Sequence, residues 1–304
     1  MRYPLHHKPF VQLLTVLLSM LGCFIILSFL AFFLALPLFD LSVAELVELF
    51  DSGGLTNHLA LMKYFQSVQS LGLFVVPAFI IAWLYARNPS EFLAFQIKPK
   101  SASFVFVIVI IFFSLPFVNF LSELNQSIHF PDSWESIEQW LVTKEDSAQD
   151  LTRRFLRAST WQGLVVNLIL VGVLPAVGEE LIFRGILQRI FSRWTQNVHY
   201  GILISAFLFS AVHLQFYGLL PRFFLGMLFG YFLLWSGSIW LPILGHFINN
   251  AGAVIMYFFT TKAEVSGETY ETMSFQPIFV IFSIGLIGLF GYLIYNTEHQ
   301  LRDH

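Results

Sequence analysis

Apolar residues in this chain gather in long unbroken runs, with neither the alternation of a half-buried strand nor the one-sided stripe of a soluble helix. Runs near 10–38, 67–86, 103–121, 163–181, 200–216, 220–235, 238–259 and 277–295 approach or exceed the roughly 20 residues that a helix needs to cross the hydrocarbon layer of a bilayer. The pattern predicts an all-α fold, a polytopic membrane helix bundle of about eight transmembrane helices organised as a single integral membrane domain over 1–304. Only Tyr217, Gly218 and their neighbours separate the fifth and sixth runs, and Pro221 opens the sixth, so a re-entrant pair is the alternative there. The first run stands behind Arg2 and Lys8 as a signal peptide would, yet it far exceeds the apolar region of about 7–15 residues that such a peptide carries, and it reads as a retained anchor.

The one long connection, about 122–162, places Trp134, Ile137, Trp140 and Leu141 at helical spacing, then Leu151, Phe155 and Leu156 among Arg153, Arg154 and Arg157. This predicts an interfacial amphipathic helix, or two. Basic residues set the orientation. Arg2 and Lys8, then Arg87, Lys98 and Lys100, then Arg184, Arg189 and Arg193, and finally Arg302 fall on every second connection. The alternate connections carry Asp40, Glu45, Glu48 and Asp51, then Glu264, Glu268 and Glu271, with Lys63 and Lys262 as the positive exceptions. Positive charge is retained inside, so both termini are expected in the cytoplasm.

Composition agrees. Charged residues are 12% of the chain against about 25% in ordinary globular proteins, and AVILMFWYC residues reach 57% with a mean hydropathy of +0.72. Sixteen Lys and Arg against nineteen Asp and Glu, with no basic tract, argue against a nucleic-acid partner and leave the lipid bilayer as the surrounding medium. Cys23 is the single cysteine, which precludes an internal disulfide or a thiolate metal cluster.

Polar residues that stay inside the apolar runs carry the chemistry. From Gln196 to Thr261 the only permanently charged side chain is Arg222, while His199, His213 and His246 fall in the same sector. An ionisable group within a span costs about 2.5–3.5 kcal/mol on insertion scales and marks a functional site facing the bundle interior. At the end of the fourth run stand two adjacent acids, Glu179 and Glu180, followed by Arg184. Glu180 and Arg184, four apart, share a helix face in the order that favours an ion pair. Glu179 is turned about 100° away and left free. His246 and Asn250 are also four apart, so an imidazole and a carboxamide point at one volume, and Gly245 and Gly252 permit close helix approach.

A carboxylate in a low-dielectric site is a better base near neutral pH, and amide and imidazole donors can receive charge on a carbonyl oxygen. The implied reaction is peptide hydrolysis. Each cluster also has a structural explanation: a salt-bridged helix end, a packed core histidine, interhelical glue. Their occurrence together in one half of the chain favours the catalytic reading. His199, beside Tyr200 at a span entrance, reads as interfacial, and His6, His7, His58, His129, His299 and His304 are assigned no role.

Taken in order on successive hydrophobic helices, Glu179-Glu180-x-x-x-Arg184, Phe209-x-x-x-His213 and His246-x-x-x-Asn250 resemble the three motifs of the CAAX protease and bacteriocin-processing family of intramembrane endopeptidases, over about Val165 to Ala253. The resemblance implies a helical bundle around a conical, water-accessible cavity. It also implies cleavage of a hydrophobic or lipidated peptide near its C-terminus, or of a small membrane-associated precursor, by a catalytic core over about 163–260. It implies Glu179 as the base that activates water, His213 as its partner, His246 and Asn250 as holders of the oxyanion, and Glu180, Arg184 and Phe209 as support. Catalysis without a cofactor is the favoured expectation. Zinc is the alternative, with Glu179, His213 and His246 as its ligands and a fourth position open, although the zincin His-Glu-x-x-His is absent. Phe207, Phe216, Phe223 and Phe224 are candidates to line the cavity. The competing class is a non-catalytic membrane scaffold or bacteriocin self-immunity protein. A proton-coupled transporter finds less support, since no inverted repeat is apparent.

Overall fold

The structure, a computed structural model, describes residues 8–128, 130–266 and 276–299. Arg2, His6, His7, His129, Glu268, Glu271, Arg302 and His304 lie outside the described residues, as do the side chains of Lys262 and Glu264. Among the described residues every regular element is helical.

The principal helices are α1 (Pro9–Phe39), α2 (Val43–Asp51), α3 (Leu59–Tyr85), α4 (Ser101–Gln126), α5 (Glu135–Leu156), α6 (Trp161–Trp194), α7 (Val198–Ala211), α8 (Leu219–Ser236), α9 (Trp240–Ser266) and α10 (Pro277–His299). Among the described residues seven helices are long and apolar enough to cross a membrane: α1, α3, α4, α6, α8, α9 and α10. The chain is an integral, multi-pass membrane protein. The expected fifth span is the exception. Helix α7 has 14 residues, about 21 Å at 1.5 Å per residue, which falls short of a hydrocarbon layer about 30 Å thick. It ends at Ala211 instead of continuing to 216, because the chain turns at Leu214, whose φ of 52° is left-handed.

Burial in such a bundle is inverted relative to a soluble protein: large apolar side chains face lipid while polar ones turn inward. Leu17, Ile26, Phe112 and Ile281 are exposed on α1, α4 and α10, whereas Gln12, Ser103, Ser114 and Asn167 are buried. Helix α10 packs along α4. The short α7 fills the space between the end of α6 and α8, and Asn197 caps its start by accepting from the His199 and Tyr200 N–H groups. At Gly201 the two helices approach so closely that a Cβ would stand 2.6 Å from the Ser192 nitrogen, which leaves room for glycine alone.

The connection 122–162 forms one amphipathic helix. Trp134, just ahead of α5, and Ile137, Trp140 and Leu151 along it are exposed, while Phe155 and Leu156 are buried where Leu156 meets Leu164, Val254 and Phe258. Asn167 in α6 donates to the Leu156 carbonyl at 2.7 Å and accepts from Lys63 Nζ at 2.6 Å, tying the C-terminal end of α5 to α3 and α6. This gives Lys63, one of the two basic exceptions among the acidic connections, a structural partner.

Outside the spans, α2 opens with a capping box. Ser42 Oγ accepts from the Glu45 N–H, and the Glu45 carboxylate accepts from the Ser42 N–H and hydroxyl. These bonds hold the Glu45 carboxyl below its ordinary value. A depressed folded-state value means that the cap contributes fully above the unfolded carboxylate range and is lost as pH falls through the lower value. Amide hydrogen exchange at the first turn of α2 should therefore accelerate on acidification, and a Glu45→Gln chain should show a smaller pH response than the parent.

Candidate active site

Two prolines shape the helix that carries the acids and the helix behind it. Helix α6 contains π turns at Leu168–Val173 and Phe183–Leu187, flanking the regular stretch Leu174–Ile182. The first π turn leads into Pro175, just as the π turn Leu71–Val75 of α3 leads into Pro77. Proline has no N–H to continue a regular ladder, so the helix loosens before it. One consequence reaches the site. The Val171 carbonyl, whose regular partner four residues on would be Pro175, accepts from Asn250 Nδ2 of α9 at 3.1 Å. Pro175 and Pro77 within their apolar runs were the sequence signal for these turns.

On the stretch between the π turns, Glu180 and Arg184 form the expected pair, with Arg184 Nη1 donating to Glu180 Oε1 at 2.9 Å. Both are fully buried. Arg184 Nη2 donates to the Gly226 carbonyl of α8 at 3.0 Å, and the guanidinium lies over Phe209 at 4.4 Å and Phe229 at 5.4 Å. A buried cation therefore has an anion, a carbonyl and two aromatic faces around it, which is what burial of a charge requires.

Glu180 does more than pair with arginine. Its Oε1 also accepts from His246 Nδ1 of α9 at 2.8 Å, a contact between residues 66 apart in sequence, and Oε2 has no partner. The His246 ring stacks on Phe229 with centroids 5.3 Å apart, and meets Phe209 edge-on at 5.7 Å. Its Nε2 faces Glu179 Oε2 at 3.9 Å. Glu179 keeps 14% of its side chain exposed while its neighbour keeps none. The two adjacent acids thus occupy different environments.

His213 sits beyond the end of α7, in the turn that follows it. Its Nδ1–H donates to the Phe209 carbonyl at 2.8 Å, so the ring caps the last turn of α7. A carbonyl only accepts, so in the neutral ring Nε2 carries the lone pair. The Phe209 ring contacts both imidazoles, that of His213 at 5.4 Å. Asn250, one turn beyond His246, accepts from Asn249 Nδ2 at 3.2 Å through Oδ1.

The structure thus joins Glu179, Glu180, Arg184, Phe209 and His246 in one cluster, with His213 at its edge through Phe209 and Asn250 turned toward Val171. His199 pairs with Tyr231 at 3.0 Å, away from it. Phe207 is 52% exposed on the outer face of α7, and Phe216 and Phe224 pack on Phe130 and Phe117. Sequence reading missed Phe229 and a polar chain behind His213. Gln215 Nε2 donates to Glu145 of α5 at 3.2 Å, and Gln215 Oε1 accepts from Arg222 Nη2 at 2.6 Å. Arg222, the one permanent charge in that sector of sequence, was the available signal.

Histidines whose Nδ1–H groups are committed, leaving Nε2 available, have the chemistry of zinc ligands. The positions do not complete such a site: among the described residues no three His, Cys, Asp or Glu side chains are grouped so as to hold a metal ion.

Fold and site define a polytopic helical membrane protein with a buried acid–histidine centre. Residues 161–252 match the family model described as Type II CAAX prenyl endopeptidase Rce1-like, a stretch that contains every residue of the three motifs. The likeness to CAAX proteases read from those motifs holds over this core. An uncharacterised 24.3 kDa protein of Escherichia coli is 33% identical over 87 residues, a match that covers 27% of this chain and 40% of that protein's length. No solved structure matches the chain.

Proposed function

We propose that the chain is an intramembrane endopeptidase that hydrolyses a peptide bond in a hydrophobic or lipidated, membrane-associated peptide, with the core over 163–260 and both termini in the cytoplasm. Glu179 is the general base. It takes a proton from water, and the resulting hydroxide adds to the peptide carbonyl carbon. The His213 Nε2 lone pair accepts from the same water and orients it. The negative charge that develops on the carbonyl oxygen is met by the Nε2–H of a protonated His246 and by the second amide N–H of Asn250. Protonated Glu179 then donates to the leaving amine as the C–N bond breaks, which restores the carboxylate.

The observation that carries this reading is the approach of His246 Nε2 to Glu179 Oε2 at 3.9 Å while His246 Nδ1 is held by Glu180. A carboxylate oriented toward one ring nitrogen, with a second carboxylate fixing the other, is the relation of a base to an oriented imidazole. Both ring nitrogens of His246 face carboxylate oxygens, Nδ1 that of Glu180 at 2.8 Å and Nε2 that of Glu179 at 3.9 Å, an arrangement in which each can carry a donor hydrogen. The match of residues 161–252 to the Rce1-like family supports a protease.

Purified protein in detergent, incubated with prenylated and unmodified C-terminal peptides and with short hydrophobic precursors, is expected to release a new N-terminus detectable by mass spectrometry. Absence of any product across these classes defeats the proposal. The scaffold or self-immunity reading is favoured instead if a Glu179→Ala chain complements a cellular phenotype as well as the parent does.

A further inference from the structure

Helix α8 contributes no residue to the three motifs, yet it borders the acid–histidine cluster and is held against it in a defined register. Two side chains one turn apart on α6 set that register. Arg184 Nη2 donates to the Gly226 carbonyl at 3.0 Å, and Gln188 Nε2 donates to the Gly230 carbonyl at 3.2 Å. The second position requires glycine, because a Cβ there would stand 2.8 Å from both Gln188 Oε1 and Ile202 Cγ2. Phe229 lies between the two bonded residues and is buried. Its ring is therefore delivered to one place.

That place is the face of the His246 imidazole, with ring centroids 5.3 Å apart and 15° between the planes. Gly245 makes room for the stack: a Cβ there would stand 3.2 Å from Phe229 Cε1 and 3.1 Å from Phe232 Cε2, tighter than ordinary side-chain contact. The stack supplies a restraint that the hydrogen bond of the ring does not. Glu180 Oε1 holds His246 through Nδ1 at 2.8 Å, and a bond at one ring atom leaves the plane able to pivot about it. Pivoting would swing Nε2, the atom that faces Glu179 Oε2 at 3.9 Å, out of its direction. A parallel aromatic face on one side, with the Phe209 ring edge-on at 5.7 Å, opposes that movement.

We propose that Phe229 is a positioning residue of the candidate active site: by stacking on His246 it fixes the plane of the imidazole, and with it the direction of Nε2, for the oxyanion role given to that ring. The part it plays in turnover rests on the endopeptidase reading; the fixing of the ring plane rests on the stack. Phe229 acts through His246 and touches no reacting atom. Its loss should slow the chemical step and leave substrate binding unchanged.

The test is steady-state cleavage by the full chain in detergent, read as kcat and KM separately. Phe229→Leu should lower kcat about tenfold with KM within about twofold of the parent. Phe229→Tyr, which keeps the aromatic face, should stay within about threefold of the parental kcat. A parental kcat in Phe229→Leu, a change confined to KM, or a Phe229→Tyr chain as slow as Phe229→Leu overturns the proposal. Should either ring variant fail to fold, Gly245→Ala, which leaves Phe229 in place and pushes its ring by a few tenths of an ångström, must slow turnover about threefold, and an unchanged kcat there counts equally against it. A second readout needs no substrate. In chains carrying nitrogen-15 in their histidine rings, the His246 resonances, assigned by their absence in His246→Gln, should be single in the parent and in Phe229→Tyr but broadened or doubled in Phe229→Leu. Unbroadened single resonances in Phe229→Leu overturn the proposal. If the parent cleaves nothing yet Phe229→Leu releases the ring in this way, the endopeptidase reading fails while the positioning of His246 stands.

Discussion

Replacing Glu179 by glutamine is expected to lower the rate of peptide cleavage by about 10²–10⁴-fold while leaving the fold intact. Glutamine preserves the shape of the side chain and removes its ability to take a proton. The position tolerates the change because Glu179 keeps 14% exposure, and among the described residues its close ionic contact is His246 Nε2 at 3.9 Å, which is not a structural hydrogen bond. Single-turnover cleavage together with thermal unfolding in detergent measures both effects. A variant that cleaves at the parental rate removes Glu179 from the reaction. One that unfolds many degrees lower would make it a structural acid instead.

The opposite split is expected for the neighbouring acid. Arg184→Met leaves Glu180 as a fully buried carboxylate facing only His246, and breaking a buried pair in this way typically costs about 3–5 kcal/mol. The double change Glu180→Leu with Arg184→Met removes both charges and should recover much of that stability, because the desolvation of each disappears with it. Activity should not return. Without Glu180 the His246 Nδ1–H loses its acceptor and the ring its orientation. Unfolding and cleavage measured on both single variants and on the double variant form a cycle that separates the two roles. Stability recovered together with activity would show that Glu180 does not position His246.

Much of the site was legible in sequence for local reasons. Glu180 and Arg184 meet because residues four apart share a helix face, and the pair survives although a π turn begins at Phe183. The separation of Glu179 from Glu180 follows from the same geometry. What periodicity could not supply was the second bond of Glu180. The imidazole expected to share a pocket with Glu179 is anchored on Glu180 and approaches Glu179 through its other nitrogen. Asn250 likewise shares a face with His246, yet it spends one N–H on the carbonyl that Pro175 leaves without a regular partner. His213 was expected within a span and lies in the turn after it, its ring bonded back to Phe209.

The sequence by itself determined that this is a multi-pass helical membrane protein and which polar groups its spans retain. The reason is physical. In hydrocarbon each segment must satisfy its own backbone, so an apolar run commits to helix without reference to its neighbours, and every polar exception stands out. Tertiary structure alone decided that α7, α8 and α9 bring Phe209, Phe229 and His246 around the Glu180–Arg184 pair of α6, and that a buried acid of α5 lies behind the His213 turn. Those relations depend on how helices far apart in sequence pack and on the π turns that set their register, and neither is carried by the hydropathy of any single segment.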